Sequence, residues 1–486
     1  MKTNPPVFTP TLDVGGLTVA YIFERYPVLS QTFFRRELAG LRDHGIRIEI
    51  HSLFPPRPAD LAQLLPGQNS KRKSPTHQTT PQTRVPSPLP DKGEGLPAVA
   101  SRVAKAGQGE GLPAVASRVA KAGSSSLIAD IPVDTFRWWE SIAVLIALPR
   151  ELLRDPALLR DGWHLFRRYR PTNPENFWST IWAVVFAICR ARRFRQHKPD
   201  IIHGVWATAP ATAAAILARL CNVPFSFGGH AYDIYRHGGD AFLEPKLRAA
   251  AFVHTTTNAA AQYLRDRAHG APVKIVLARR GLEKLPPLPK RDATTSTSRP
   301  IRLLSVGRLV PKKGHVHQLA ACSLLKSRGV PFVATIVGDG PLRRELQQQI
   351  DRTGLHDFVT LTGPLPPDQV NDQYLWADIF WHTGIVDPEG DRDGIPNVIP
   401  EAFARCLPVI SSPTAGPMEA VTHDVTGIIA DPSNPAHLTT AVQRLAADPA
   451  LRQRLSNSGR AWTEHNFLIA TNAAILARAF RETCRR

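Results

Sequence analysis

Hydrophobic and polar positions follow two rhythms along this chain. Short runs rich in β-branched and aromatic residues read as strands: Leu17 to Phe23, Arg47 to Leu53, Asp200 to Val205, Pro224 to Phe227, Phe252 to Thr256 and Val273 to Leu277. Stretches of helical periodicity, such as Gln31 to His44 and Thr208 to Leu220, lie between them. Past Gly281 the segment LEKLPPLPKRDATTSTSRP, crowded with Pro, Ser and Thr, reads as a linker. The rhythm then restarts, with strands at Ile301 to Val306, Phe332 to Val337, Phe358 to Leu361, Asp378 to His382 and Val409 to Ser411, and helices at Gly314 to Ser327, Leu342 to Arg352 and Asn397 to Arg405. Strand–helix alternation builds a parallel sheet covered on both faces, because each crossover lays a helix over it. Two such runs predict an α/β protein of two Rossmann-like domains facing each other across a cleft, the first over residues 1–290 and the second over 300–486.

One stretch breaks the rhythm. Gly93 to Gly107 reads GEGLPAVASRVAKAG, and Gly109 to Gly123 repeats those fifteen residues word for word. A solenoid repeat diverges while keeping its apolar pattern, so a literal duplicate predicts a low-complexity, disordered insertion over residues 67–126 instead.

A length of 486 residues suits two domains, each with its own core. No apolar run reaches the ~18 residues that a membrane-spanning helix needs. Met1 to Pro10 is polar and Pro-rich, so no secretory signal is expected. The five cysteines lie far apart without a CxxC pair, which argues against a disulfide framework or a zinc site. The histidines show no HxxxH or HExxH spacing, so no metal and no other cofactor is expected. A cytoplasmic location follows from these readings.

The formal net charge of +19 is unevenly spread: residues 300–486 hold 19 Lys and Arg against 18 Asp and Glu, leaving +18 on the residues before them. A basic first half fits an anionic surface, and a near-neutral second half fits a small molecule. Arg137 to Lys198 carries 12 basic and 5 acidic residues interleaved with Trp163, Phe166, Tyr169, Phe177, Trp178 and Trp182. That mixture suits contact with the anionic inner face of the cytoplasmic membrane, each basic residue adding on the order of 1 kcal/mol. The alternative packs these helices on the first sheet with the tryptophans in the core. Nucleic acid is the partner that charge alone would suggest; the neutral second half and the lack of a groove-reading motif argue against it.

Candidate chemistry gathers at the ends of the strands. Ser305-Val306-Gly307-Arg308, followed by Pro311-Lys312-Lys313-Gly314 and a helix, puts a glycine turn, an arginine and a lysine at the carboxyl end of the second domain's first strand. Open α/β sheets bind ligands there, and helix N-termini favour phosphate. Further on, DRDGIPNVIPEAFA opens a helix after Gly394-Ile395-Pro396-Asn397, with Glu401 one turn beyond Asn397 on the same face. The bland reading leaves Arg308, Lys313 and Glu401 as solvated loop and helix residues, and Asp393 as an N-cap.

Four motifs in order, SVGRLVPKKGH, IVGDGPLRREL, DRDGIPNVIPEAFARCLPVISS and TAGPMEAVTHDVTGIIA, resemble the donor half of retaining GT-B glycosyltransferases of family 4, over about Ile301 to Phe467. The resemblance implies a GT-B fold and a nucleotide diphosphate sugar as donor. Arg308 and Lys313 would neutralise the donor diphosphate in place of a metal. Gly307, Gly338, Gly394, Ile395, Pro396 and Asn397 would line the donor site. The family's paired carboxylates fall on Asp393 and Glu401; Asp393 stands where Glu is commoner, which shortens its reach toward the transferred sugar, and Glu401 would meet the nucleotide ribose. In the first half FERYPVLSQTFF resembles the first strand-to-helix loop of colanic-acid-type members, with Gln31 where an acidic residue is commoner, and makes Tyr26 and Ser30 acceptor-binding candidates. FSFGGHAYDIY places His230 where the family uses a histidine close to the transferred sugar, with Asp233 to orient it or to contact acceptor. The implied activity is metal-independent, retaining sugar transfer to a carbohydrate acceptor such as a lipid-linked glycan for surface polysaccharide. A nucleotide-sugar epimerase or a sugar phosphorylase on the same frame is the rival.

Overall fold

A computed structural model of the chain describes residues 16–28, 32–57, 131–170, 173–289 and 299–485. The whole of the repeat-bearing insertion, Ser30, Gln31 and part of the linker lie outside the described residues. The first sheet holds β1 (Thr18–Arg25), β2 (Arg47–Phe54), β3 (Val133–Thr135), β4 (Ile201–Gly204), β5 (Phe225–Gly228), β6 (Phe252–Thr255) and β7 (Ile275–Leu277). The second holds β8 (Ile301–Val306), β9 (Phe332–Val337), β10 (Val359–Gly363), β11 (Ile379–His382), β12 (Val409–Ser411) and β13 (Ile428–Ile429). The helices that matter below are α1 (Thr32–Asp43), α2 (Val144–Arg154), α3 (Ala157–Arg168), α4 (Pro174–Gln196), α5 (Ala209–Cys221), α6 (Asn258–Arg267), α7 (His315–Ser327), α8 (Val398–Ala404) and α9 (Ile469–Cys484).

Both sheets are parallel throughout, in the orders β3-β2-β1-β4-β5-β6-β7 and β10-β9-β8-β11-β12-β13. Each therefore reverses direction beside its first strand, between β1 and β4 and between β8 and β11, where doubly wound sheets open a ligand crevice at the carboxyl ends. The apolar runs follow from burial on both faces: Val19 to Phe23 has no exposed residue. Alanine-rich α5 lies so close to β4 that a Cβ on Gly204 would sit 2.6 Å from the Ala211 backbone. The expected two-domain α/β architecture is the one observed. β3 and β13 are additions, three and two residues long, too short to carry a readable pattern.

The two halves are joined twice. Leu282 pairs with Leu468 as an isolated parallel bridge, through Leu282 N donating to Phe467 O at 2.8 Å and Ile469 N to Leu282 O at 2.9 Å. Gly281 is required there, since a Cβ would meet Ile469 N at 2.3 Å. After this crossing α9 returns to the first sheet, where Phe480 packs on Tyr21, His203 and Phe252 at 5.3–6.2 Å. The last helix thus lies against the first sheet although it follows the second in sequence.

Candidate functional site

The loop after β8 is built to bring two lysines to the sheet's carboxyl edge. Gly338, at φ +143°, lets the neighbouring strand approach so closely that a Cβ would stand 1.9 Å from Gly307 O. Gly314, at φ +65°, turns the chain into α7, and Thr383 Oγ1 donates to the carbonyls of Lys313 and Gly314 at 3.2 and 2.9 Å. The KKG turn is therefore clamped to the loop after β11. Arg308 lies on the same rim with its side chain exposed.

Across this rim stands the DRDG segment. Lys313 Nζ donates to Asp393 Oδ2 at 2.7 Å, and Lys312 Nζ to Asp391 Oδ1 at 3.0 Å. His382, the last residue of β11, accepts from Gly384 N on Nδ1 at 3.4 Å, which leaves its Nε2–H to donate to Asp393 Oδ2 at 3.2 Å. Burial alone would raise the Asp393 pKa, but Lys313, His382 and Lys312 together hold it far below the carboxylate range. Asp393 is thus ionised and closely bound by the two lysines and His382. Glu401, eight residues on, accepts from Tyr374 OH at 3.2 Å. Burial raises its pKa against the opposing pull of Arg36 and Arg405. Arg36 belongs to α1, so a first-domain cation reaches the second domain's carboxylate. Ile395 and Pro396 are buried behind the segment, and Asn397 precedes α8.

The first domain presents its own strand ends to this rim. A Cβ on Gly394 would lie 3.2 Å from Thr257 Cγ2 and 3.9 Å from His230 O, so the two candidate loops touch. His230, 3% exposed, sits edge-on to Trp206 and His254 at 5.4 and 5.0 Å. Burial, reinforced by Arg280, His254 and His203, depresses its pKa and keeps the ring neutral, and its Nδ1 has no hydrogen-bond partner. Asp233 accepts from the backbone N–H groups of Ala207, His230 and Ala231 at 2.9–3.1 Å. With both oxygens so engaged and 1% exposure, it shapes the His230 loop. Tyr26 is 5% exposed and packs on Phe23 at 4.6 Å, as part of the wall. Ser30 lies outside the described residues.

Two clasps hold the domains together. Glu419 of the second domain accepts from Ala259 N at 2.9 Å and Asn258 Nδ2 at 3.0 Å, capping the first turn of α6 in the first. Arg236 Nε donates to Glu389 at 2.6 Å, His237 N to the Glu389 carbonyl at 2.8 Å, and Arg392 covers Tyr235 at 4.4 Å.

The basic-aromatic stretch proves to be surface. Trp138, Trp139, Trp163 and Trp178 are 47–71% exposed, so the reading that puts the tryptophans in the core fails for these four. Trp182 alone follows it, packing on Phe54 at 6.0 Å. α2 is turned inside out. Its one buried residue is Glu151, gripped by Arg195 of α4, while Leu145, Ile146 and Leu153 on its outer face are 75–85% exposed. Among the described residues no helix is long and apolar enough to cross a membrane.

Lys312, Asp391 and His382 were not anticipated. His382 carries the same signal that singled out His230, a histidine closing a buried strand at the carboxyl edge.

Comparison with known proteins agrees with this geometry. Residues 289–462 match the family model described as Glycosyl transferases group 1. Over 185 residues the chain is 37% identical to the amylovoran biosynthesis glycosyltransferase AmsK of Erwinia amylovora, covering 38% of this chain and 45% of that one. Over 176 residues it is 35% identical to the putative colanic acid biosynthesis glycosyltransferase WcaL of Escherichia coli K12, covering 36% and 42%. The matches thus span less than half of these relatives. Among solved structures, a glycosyltransferase from Rickettsia africae aligns at TM-score 0.60 and 15% identity over 97% of this chain and all of that one. Anabaena HepE in complex with UDP and glucose aligns at 0.57 and 16% over 96% of this chain and all of that one. The fold is GT-B, and the match to the glycosyl transferases group 1 model falls on its second domain.

Proposed function

We propose that the protein is a retaining glycosyltransferase that moves a sugar from a nucleotide diphosphate donor to a lipid-linked glycan, working on the anionic inner face of the cytoplasmic membrane. The observation that carries the reading is the gathering of Arg308, Lys312, Lys313 and Asp393 at the switch point of the second sheet, with Gly394 of the same segment against the His230 loop of the first domain. HepE was solved with UDP and glucose, and a Mycolicibacterium smegmatis relative, 31% identical over 180 residues, is named a GDP-mannose-dependent mannosyltransferase, which favours a nucleotide sugar as donor.

In this mechanism the donor diphosphate displaces Asp393 from Lys313 and draws in Arg308. Their charge stabilises the leaving phosphate as the C1–O bond breaks, and metal ion is not required for it. The acceptor hydroxyl attacks C1 from the face the phosphate leaves; its proton passes to the departing phosphate oxygen, so configuration is retained. In this reading His230, neutral, donates a hydrogen bond to the sugar, and Glu401 holds the ribose.

The outward apolar face of α2 and α3, flanked by Arg150, Arg154, Arg160, Arg167 and Arg168, supports the membrane assignment: apolar side chains enter the headgroup region while arginines meet lipid phosphates. Stereochemistry tests the chemistry. The anomeric proton coupling of the product, read by NMR, should match that of the donor sugar, and an inverted linkage would overturn the retaining mechanism.

A further inference from the structure

Arg280 follows β7 immediately before the crossing at Gly281. Its guanidinium carbon lies 3.3 Å from the ring centre of Phe33, 5.3 Å from Phe34 and 5.5 Å from Trp206. Stacked there, it has no hydrogen-bond or ion-pair partner within 4 Å among the described residues, yet it is only part-buried, so its N–H groups are reachable. One further polar atom acting on the same place is also unsatisfied, His230 Nδ1, on a residue 3% exposed, while Glu37, the nearest carboxylate, faces the buried Tyr21 hydroxyl. Buried polar atoms are nearly always bonded, so an unpartnered guanidinium and an unpartnered buried imidazole nitrogen at the carboxyl ends of β7 and β5 mark a place where a ligand supplies the missing partners.

We propose that Arg280 is the receptor for a phosphate group of the acceptor, so that the glycan acceptor enters as a phosphate-linked or diphosphate-linked species. The idea rests on the transferase reading and names the acceptor's chemistry. A guanidinium presents paired N–H donors that match two phosphate oxygens, and its flat face rests on aromatic rings without losing them. Glu37 is the nearest carboxylate acting on it and does not close a pair with it, and burial raises the Glu37 pKa to about 7. A phosphate would complete the neutralisation that Glu37 leaves partial, and an acceptor hydroxyl of the attached sugar would then lie near His230.

Farnesyl diphosphate and inorganic phosphate serve as probes, with farnesol as the uncharged control, titrated against the full chain with the donor site held by saturating UDP or GDP, whichever the wild type binds. Wild type should bind farnesyl diphosphate and not farnesol. Arg280→Ala should weaken that binding by about tenfold or more, the loss of a charge-assisted pair, while nucleoside diphosphate affinity stays within about twofold. Arg280→Lys should recover part of it. Glu37→Gln should tighten it by removing an opposing charge, a gain that a merely structural ion pair would not give. Inorganic phosphate competing equally well would assign the site to phosphate itself, with the lipid adding nothing. Unchanged farnesyl diphosphate binding in Arg280→Ala overturns the inference and leaves the transferase reading intact. Loss of nucleoside diphosphate binding in the same variant overturns it by moving Arg280 to the donor side. If Lys313→Ala still binds nucleoside diphosphate as well as wild type, the transferase reading itself has failed.

Discussion

Lys313 and Asp393, eighty positions apart in sequence, are held at 2.7 Å across the rim of the second sheet, with His382 on the same carboxylate oxygen. The pair neutralises in advance the cation that a diphosphate would need, so donor binding has to break it. Arg308, exposed on the same rim, has no such competitor among the described residues.

Replacing Asp393 by Asn should leave Lys313 with a much weaker partner, and removing one member of a buried pair costs about 3 kcal/mol. The carboxyl is depressed in the folded state, so its contribution is present above the ordinary carboxylate pKa near 3.8 and is lost as pH falls below it. Thermal midpoints measured from pH 7 downward should therefore fall more steeply in wild type than in Asp393→Asn. Parallel curves would mean the pair does not form.

Glu37 behaves in the opposite sense. Its folded pKa is raised from 4.5 to about 7, so its stability contribution is complete below 4.5 and disappears as pH rises through 7. Between about pH 5 and about pH 8 wild type should lose midpoint relative to Glu37→Gln. A variant that tracks wild type across that range would show that the carboxyl is not buried as described.

Strand positions were readable because parallel strands covered on both faces must be mostly apolar, as β1, β8 and β9 are. What escaped was long-range. Nothing local in Ile469 to Cys484 says that this helix packs on the first sheet. Nothing in Glu37 and Arg280, more than 240 positions apart, announces that their charges act on each other. The stripe on α2 has the same period whichever way it faces, and only the burial of Glu151 against Arg195 shows that the apolar side looks outward. Lys313 was legible in its motif, whereas its partnership with Asp393 depends on how two loops of one sheet meet.

That outward stripe carries a prediction of its own. Full-length protein should co-sediment with vesicles containing anionic lipid, less so at ~1 M salt, where the Debye length falls to about 3 Å from about 10 Å at 0.1 M. Ile146→Ser combined with Trp163→Ser should release most of it without lowering the thermal midpoint, since both side chains are already exposed, by 79% and 62%. Equal binding to neutral vesicles, or none to either kind, would remove the membrane assignment.

The central claim, that the cleft transfers a sugar from a nucleotide donor, is tested most directly by free nucleoside diphosphate. Full-length protein is incubated with UDP- and GDP-sugars, with and without a bacterial lipid extract as acceptor, and the released UDP or GDP is measured. Release should depend on the extract, occur with one base in preference to the other, and drop by at least about a hundredfold in Lys313→Ala, which removes a charge from the leaving phosphate. Conversion of the nucleotide sugar to an isomer without free diphosphate, or release undiminished in Lys313→Ala, would contradict the account.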